Sequence, residues 1–285
     1  MADQHSRAVL VTGCSTGIGR ATAEHLAARG WPVYATARRL ESIADLEEKG
    51  CRPLALDVTD EASMRAAVER VEAEQGAVGV LVNNAGYSQS GTVEEVPLDD
   101  VRRQFETNVF GLVRMTQLVL PGMRGQRWGK IVNISSMGAN FTFPGGGFYH
   151  ATKHAVDALS DALRFEVKGF GIDVVIIQPG LIKTQFSEAA VGSMEGAGAG
   201  DDGPYAEFNR RLAKATKDVY ERGPAAKLGA GPEAVAAAIE KAIEARRPKA
   251  RYLVTPSAHL LVNQKRLMPD RLWDAFMKTQ FPQPK

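Results

Sequence analysis

Seven short apolar runs punctuate this chain, and none of them alternates polar with apolar residues. They are AVLVTG (8–13), PVYATA (32–37), RPLALD (52–57), VGVLVN (78–83), GKIVNIS (129–135), IDVVIIQP (172–179) and RYLVT (251–255). Strands that read this way are covered on both faces. Helical patterns separate them over residues 17–29, 60–75, 98–120, 149–168 and 232–246. Gly30 suits the end of the first helix. Thr59 and Asp60 suit the start of the second, and Pro232 suits a first helical turn. Strand–helix alternation of this kind predicts a doubly wound α/β fold around a parallel sheet.

Composition narrows the setting. Of 285 residues, 44% are hydrophobic and 24% charged, ordinary for a globular protein with a sizeable core. A net charge of +2 lacks the basic excess of a nucleic-acid-binding surface. The two cysteines, Cys14 and Cys51, are too few for a disulfide framework and fit a reducing compartment. The N-terminal residues show no apolar leader pattern. No apolar run approaches the roughly 20 residues that span a bilayer. A cytoplasmic protein is the expectation.

Residues 185–230 break the rhythm. They include AVGSMEGAGAGDDGP and one short helical pattern near 204–222, with no strand. Their place after the sixth strand predicts a substrate lid, because open α/β sheets bind ligands at the carboxyl ends of their strands. The last segment, 256–285, carries Leu260, Leu261, Leu267, Leu272, Trp273, Phe276 and Met277 in an amphipathic pattern interrupted by Pro269. Covering the pocket, packing on another subunit and resting on a membrane surface are the alternatives, in that order.

TGCSTGIG (12–19) follows the first strand and opens the first helix. Gly13, Gly17 and Gly19 let the backbone approach a phosphate, and the helix N-terminus supplies N–H donors and a positive dipole end. Ser15, Thr16 and Ile18 complete the loop. The second strand ends at Ala37 with Arg38 and Arg39 and no carboxylate. A guanidinium there suits the 2′-phosphate of NADP(H) over the bare ribose of NAD(H), with Arg38 as the main contact and Arg39 as helper. Later in the chain, YHATK places Tyr149 and Lys153 at i and i+4, on one helix face. A cation beside a phenol favours the phenolate and makes it a usable proton donor or acceptor. His150 and His154 lack metal-ligand spacing and read as surface or packing residues. No metal is expected, and Cys14 reads as a small loop side chain.

TGCSTGIG, NNAG (83–86), NISS (133–136) and YHATK, in this order and spacing, resemble the short-chain dehydrogenase/reductase family. The likeness is close over residues 8 to about 184. Within the family the sequence looks most like the 17β-hydroxysteroid-dehydrogenase-like and retinol-dehydrogenase-like members, a likeness carried by VLVTGCSTGIGRATAEHLAARGWPVYATARR and LALDVTD. The resemblance implies a single Rossmann-type domain of about seven strands over residues 1–285. It also implies an enzyme that moves hydride between NADP(H) and a hydrophobic carbonyl or secondary alcohol. It assigns Asn108, Ser136, Tyr149 and Lys153 as the catalytic set. Ser136 is preferred over Ser135 because it precedes Tyr149 by thirteen residues, although a serine there can also cap the turn. Asn108 would lie in a locally opened helix around a water. Asp57 and Val58 would meet adenine. Asn83, Asn84, Ala85 and Gly86 would line the adenosine ribose and steady the sheet. Pro179, Gly180, Ile182 and Thr184 would contact the nicotinamide side, as would Tyr149 and Lys153. Thr16 departs from relatives that carry a basic residue at that position, which leaves phosphate recognition to Arg38.

For the substrate, Met137, Ala139, Phe141, Phe143, Phe148, Leu181 and Phe186 form an apolar, aromatic candidate lining. It suits steroid-, retinoid- or ketone-like molecules. A β-ketoacyl or small-ketone reductase on the same fold is the alternative. A non-catalytic dinucleotide-binding protein is another, disfavoured because Tyr149 and Lys153 are both present. A homodimer or homotetramer is the family expectation.

Overall fold

A computed structural model describes residues 5–184, 203–221 and 227–284. Seven strands form one sheet: β1 (Val9–Val11), β2 (Val33–Ala37), β3 (Arg52–Ala55), β4 (Val80–Asn83), β5 (Gly129–Ile134), β6 (Ile172–Pro179) and β7 (Arg251–Val254). The order is β3-β2-β1-β4-β5-β6-β7, with every pairing parallel. Each expected apolar run contains one of these strands. The helices are α1 (Gly17–Ala28), α2 (Glu61–Gln75), α3 (Leu98–Phe105), α4 (Gly111–Gly125), α5 (Gly147–Glu166), α6 (Ala206–Glu221), α7 (Pro232–Glu244), α8 (Pro256–Leu267) and α9 (Asp270–Gln280). The chain runs outward from β1 to β3, then returns to β4 on the other side of β1. That reversal opens a crevice beyond the carboxyl ends of β1 and β4.

Successive strand residues point to opposite faces, so the inner strands feed two cores, while the edge strand β3 has no buried residue. Val9, Val11, Val33, Val80, Val82 and Val175 pack with Leu26 of α1 and with Ile239 and Ile243 of α7. Leu10, Tyr34, Leu81, Ile131 and Val174 pack on the other face with Met64 and Val68 of α2 and with Met115 and Val119 of α4. Burial on both faces is why β1, β2, β4, β5 and β6 read as unbroken runs with no polar alternation.

Helix ends follow the local chemistry. Asp60 caps α2 by accepting from Ala62 N at 3.0 Å, and Gly76 ends it at φ +84°. Pro232 opens α7 as expected. The single helix expected over 98–120 is instead two. A π turn, Glu106–Phe110, separates α3 from α4, and α4 continues to Gly125. A short 3-10 segment, Leu40–Leu46, follows β2 and has no apolar periodicity strong enough to announce it. Of the expected lid, residues 185–202 and 222–226 lie outside the described residues. Its described helix, α6, docks on the segment after β4: Asn209 Nδ2 donates to Glu95 Oε2 and Tyr205 Oη to Glu94 Oε2, both at 2.7 Å. The amphipathic C-terminal segment is two helices, α8 and α9, divided at Pro269.

Candidate active site

One cleft of about 950 Å³ lies over the carboxyl ends of the strands. Its floor is the glycine loop between β1 and α1. Gly13 and Gly17 hold φ of +74° and +61°, where side chains are strained. A Cβ on Gly13 would lie 2.9 Å from Ala85 Cα, and one on Gly19 would lie 2.3 Å from the Gly13 oxygen and 2.4 Å from Asn84 Nδ2. Asn84 Nδ2 donates to the Thr12 and Gly13 carbonyls at 2.9 and 3.0 Å. Thr12 Oγ1 accepts from Asn84 N and Ala85 N at 3.0 and 2.9 Å. These bonds lock the loop to the exit of β4. Thr16 makes no side-chain cap on α1, which leaves that helix N-terminus for an anion. Gly13, Ser15, Thr16, Gly17 and Ile18 line the cleft; Gly19 lies beneath it. The loop fits a dinucleotide pyrophosphate.

Arg38, Asp57 and Val58 line one end, with Asn84, Ala85 and Gly86 beside them. Asp57 also builds its own turn, since Oδ1 accepts from Thr59 N at 2.9 Å and Thr59 Oγ1 at 2.7 Å. Arg39 is exposed and outside the lining; its carbonyl accepts from Ser42 Oγ at 2.6 Å. Tyr87 and Arg103 also line this end. Arg103 ion-pairs with Asp100, a local pairing within α3 that gives no sequence signal for a site.

Tyr149 and Lys153 sit one turn apart near the start of α5, both on the cleft. Lys153 is buried, its Nζ donates to the Ile134 carbonyl at 2.8 Å, and it lies 5.7 Å from the Tyr149 ring centre. Burial pushes the Lys153 pKa down to about 8, against the opposing pull of the Asp157 carboxylate. Ser136 lines the cleft and its Oγ accepts from Gly138 N at 3.0 Å, so it caps the turn after β5 and keeps its own O–H for the cleft. Ser135 Oγ is committed elsewhere, donating to Asp157 Oδ1 at 2.5 Å. Asn108 stands behind the cleft wall in the π turn. Its Oδ1 accepts from Tyr87 N at 3.0 Å, and its Nδ2 donates to Tyr87 O and Thr152 Oγ1 at 2.9 and 3.2 Å. Thr152 Oγ1 in turn donates to the Tyr149 carbonyl at 2.7 Å.

Pro179, Gly180, Ile182 and Thr184 also line the cleft, and Thr184 reaches the glycine loop, its Cβ 3.5 Å from where a Cβ on Gly17 would lie. A Cβ on Gly180 would meet Thr255 Oγ1 at 2.4 Å and Ser257 Oγ at 2.5 Å. Thr255 itself holds φ of +91°, a strained value for a β-branched residue, and caps α8. Of the apolar candidates, Met137, Phe143 and Leu181 reach the cleft. Phe141 is core, 3% exposed, while Phe148 and Ala139 stand outside the lining, and Phe186 falls outside the described residues. The distal wall comes from far along the chain: Val219 of α6, Leu261 of α8, and Phe276 and Phe281 in and after α9.

Of its two expected roles, surface and packing, His150 takes the second. It is buried, lines the cleft, and sits 2.9 Å by Nδ1 from the Gly138 carbonyl. Its position next to Tyr149 was the only available sequence signal. Cys14 is buried beneath the loop, its pKa pushed up to about 12 by desolvation, which leaves an inert thiol. Among the described residues, no group of three or more His, Cys, Asp or Glu side chains could hold a metal. Nor is any described helix long and apolar enough to cross a membrane.

This geometry has relatives. The family model for short chain dehydrogenase matches residues 7–194. An NADPH-dependent 3-dehydrocapnine reductase from Ornithobacterium rhinotracheale is 38% identical over 277 residues, covering 94% of this chain and 95% of its own. A 3-ketodihydrosphingosine reductase from Bacteroides thetaiotaomicron is 40% identical over 267 residues, covering 93% and 94%. Among solved structures, a closed serine dehydrogenase complexed with NADP+ aligns with a TM-score of 0.73 at 28% identity, covering 87% of this chain and 94% of that one. The chain belongs to the short-chain dehydrogenase family and is an oxidoreductase of that family.

Proposed function

We propose that the protein is an NADPH-dependent reductase of hydrophobic ketones, with long-chain ketones as its substrates. The observation that carries this is the placement of Tyr149, Lys153 and Ser136 on one cleft with the locked glycine loop. When bound, NADPH supplies the hydride. The loop glycines and the α1 N-terminus hold its pyrophosphate, Arg38 its 2′-phosphate, and Asp57 and Val58 its adenine.

The side chains have distinct tasks. Ser136 gives its O–H to the substrate oxygen, since the bond from Gly138 N takes only one of its two lone pairs and leaves the hydrogen to donate. Tyr149 gives its phenolic proton to that oxygen as negative charge develops on it. Lys153 supplies the positive charge that makes the phenol acidic enough to do so. Asn108 acts from behind, holding the Tyr87 backbone and, through Thr152, the Tyr149 carbonyl. The apolar distal wall favours a long alkyl chain, in keeping with the substrates named in the two reductase relatives.

NADPH consumption tests the reading across 3-ketodihydrosphingosine, a β-ketoacyl thioester, a steroid ketone, retinal and a small aliphatic ketone. The long-chain ketone is expected to have the highest kcat/KM. Tyr149→Phe is expected to lower turnover by about 10²–10⁴-fold while still binding NADPH. Full turnover in that variant would refute the catalytic assignment, and a preference for the small ketone would refute the substrate class.

A further inference from the structure

His150 has one nitrogen fully accounted for. Nδ1 lies 2.9 Å from the Gly138 carbonyl oxygen, which only accepts, so Nδ1 carries the hydrogen and donates it. Burial holds the imidazole pKa down at about 4, with Gly138 and His154 as the groups that face it, so the ring is neutral near pH 7. In that tautomer Nε2 carries a lone pair. Among the described residues none donates to it. Gly146 covers it so closely that a Cβ there would sit 2.8 Å away, and a Cβ on Gly138 would sit 2.2 Å from Nδ1. Two glycines therefore make room for this ring. Phe143 packs edge-on against it, with centres 5.7 Å apart.

The ring is also next to the chemistry. Its centre is 5.7 Å from that of Tyr149, and both residues line the cleft with Ser136. Gly138 links them, donating to Ser136 Oγ through its N–H and accepting from His150 through its carbonyl. The rest of the substrate side is mostly carbon, from Met137, Leu181, Val219, Leu261 and Phe276. A neutral acceptor in such a wall discriminates strongly, because a ligand without a matching donor leaves it unpaired.

We propose that His150 Nε2 selects ketones that carry an amino or hydroxyl group on the carbon next to the carbonyl, by accepting a hydrogen bond from that group. This rests on the reading of the cleft as a ketone-reductase site.

The test is a ratio, which general damage to the enzyme does not move. Three ketones of equal chain length are compared with NADPH: one with a neighbouring amino group, one with a neighbouring hydroxyl, and one with neither. The parent enzyme is expected to favour at least one heteroatom ketone by tenfold or more in kcat/KM. His150→Asn keeps an amide N–H near the Nδ1 position and removes the Nε2 acceptor; it should bring the ratio to within threefold of one. His150→Gln, whose amide oxygen reaches the Nε2 position, should retain part of the preference, and His150→Phe should abolish it. Equal kcat/KM for all three ketones in the parent, or an undiminished ratio in His150→Asn, would overturn the assignment of His150 alone. Failure of the parent to reduce any of the three would overturn the ketone-reductase reading beneath it.

Discussion

Asp157 accepts a hydrogen bond from Ser135 Oγ at 2.5 Å, one residue before Ser136 and one helical turn beyond Lys153. Its other oxygen accepts from Gln178 Nε2 at 2.7 Å and from Arg251 Nε at 3.4 Å. One buried carboxylate thus ties α5 to the ends of β5 and β6 and to the start of β7. Asp157→Ala leaves Ser135 and Gln178 without that acceptor, at a cost of about 1–3 kcal/mol for each buried group left unpaired. The expected result is a clear drop in the urea midpoint together with lower turnover. An unchanged midpoint would show that this tie carries no weight.

Lys153 gives a pH signature in the cofactor-free protein. Its folded pKa of about 8 lies below the unfolded value of 10.5. Below about pH 8 both states are protonated, and folding bears the full cost of burying the charge, about 3 kcal/mol for a shift of this size. Between about pH 8 and 10.5 the unfolded chain binds more protons, so this contribution makes stability rise with pH. Lys153→Met lacks that gain. Urea unfolding at pH 7 and at pH 10.5 should therefore move the parent-minus-variant difference toward the parent by about 3 kcal/mol. A constant difference would mean an ordinary lysine.

Arg38 is exposed at the cleft end of β2, and among the described residues no carboxylate forms an ion pair with it. Arg38→Asp should weaken NADPH binding by about 10–100-fold, the worth of charge-assisted hydrogen bonds, and improve NADH relative to it. Fluorescence titration with both nucleotides checks this. Equal losses for the two would remove Arg38 as the discriminating residue.

Gly19→Ala puts a methyl group 2.3 Å from the Gly13 oxygen and 2.4 Å from the Asn84 amide nitrogen. The loop must shift and the Asn84 bonds to Thr12 and Gly13 must lengthen. Overpacking of this kind costs about 1–3 kcal/mol. Thermal unfolding should show the loss, and the dissociation constant for NADPH should rise with it. A variant matching the parent in both would refute the described loop.

The inner strands were legible because burial on both faces leaves a sequence trace, an apolar run without polar alternation. The glycine loop was legible because backbone geometry demands glycine at Gly13 and Gly19. The π turn at Glu106–Phe110 was legible only through the family resemblance, which put Asn108 in a locally opened helix; the residues themselves do not mark it, since one extra residue per turn changes hydrogen-bond partners without changing residue type. Arg39 reads like Arg38 in sequence, yet chain direction after β2 sends it away from the cleft. Phe148 and Phe143 look equivalent too, and helix phase excludes one. The distal wall was hardest: Val219 and Phe281 approach Phe143 only through tertiary packing, and nothing local marks them. Which of the two, surface or packing, His150 would take was not legible, because its partner, the Gly138 carbonyl, is a backbone atom twelve residues away.

The close seat of Gly180 against Thr255 and Ser257 bears on how this scaffold can be re-engineered. Helix α8, which helps wall the distal pocket and leads into α9, begins at the very hydroxyls that fill the space over Gly180. A graft that exchanges α8 and α9 for those of a relative therefore cannot be spliced at residue 256. The crossover belongs upstream of β7, so that the turn, its strained threonine and both hydroxyls travel with the new wall and still fit the old glycine.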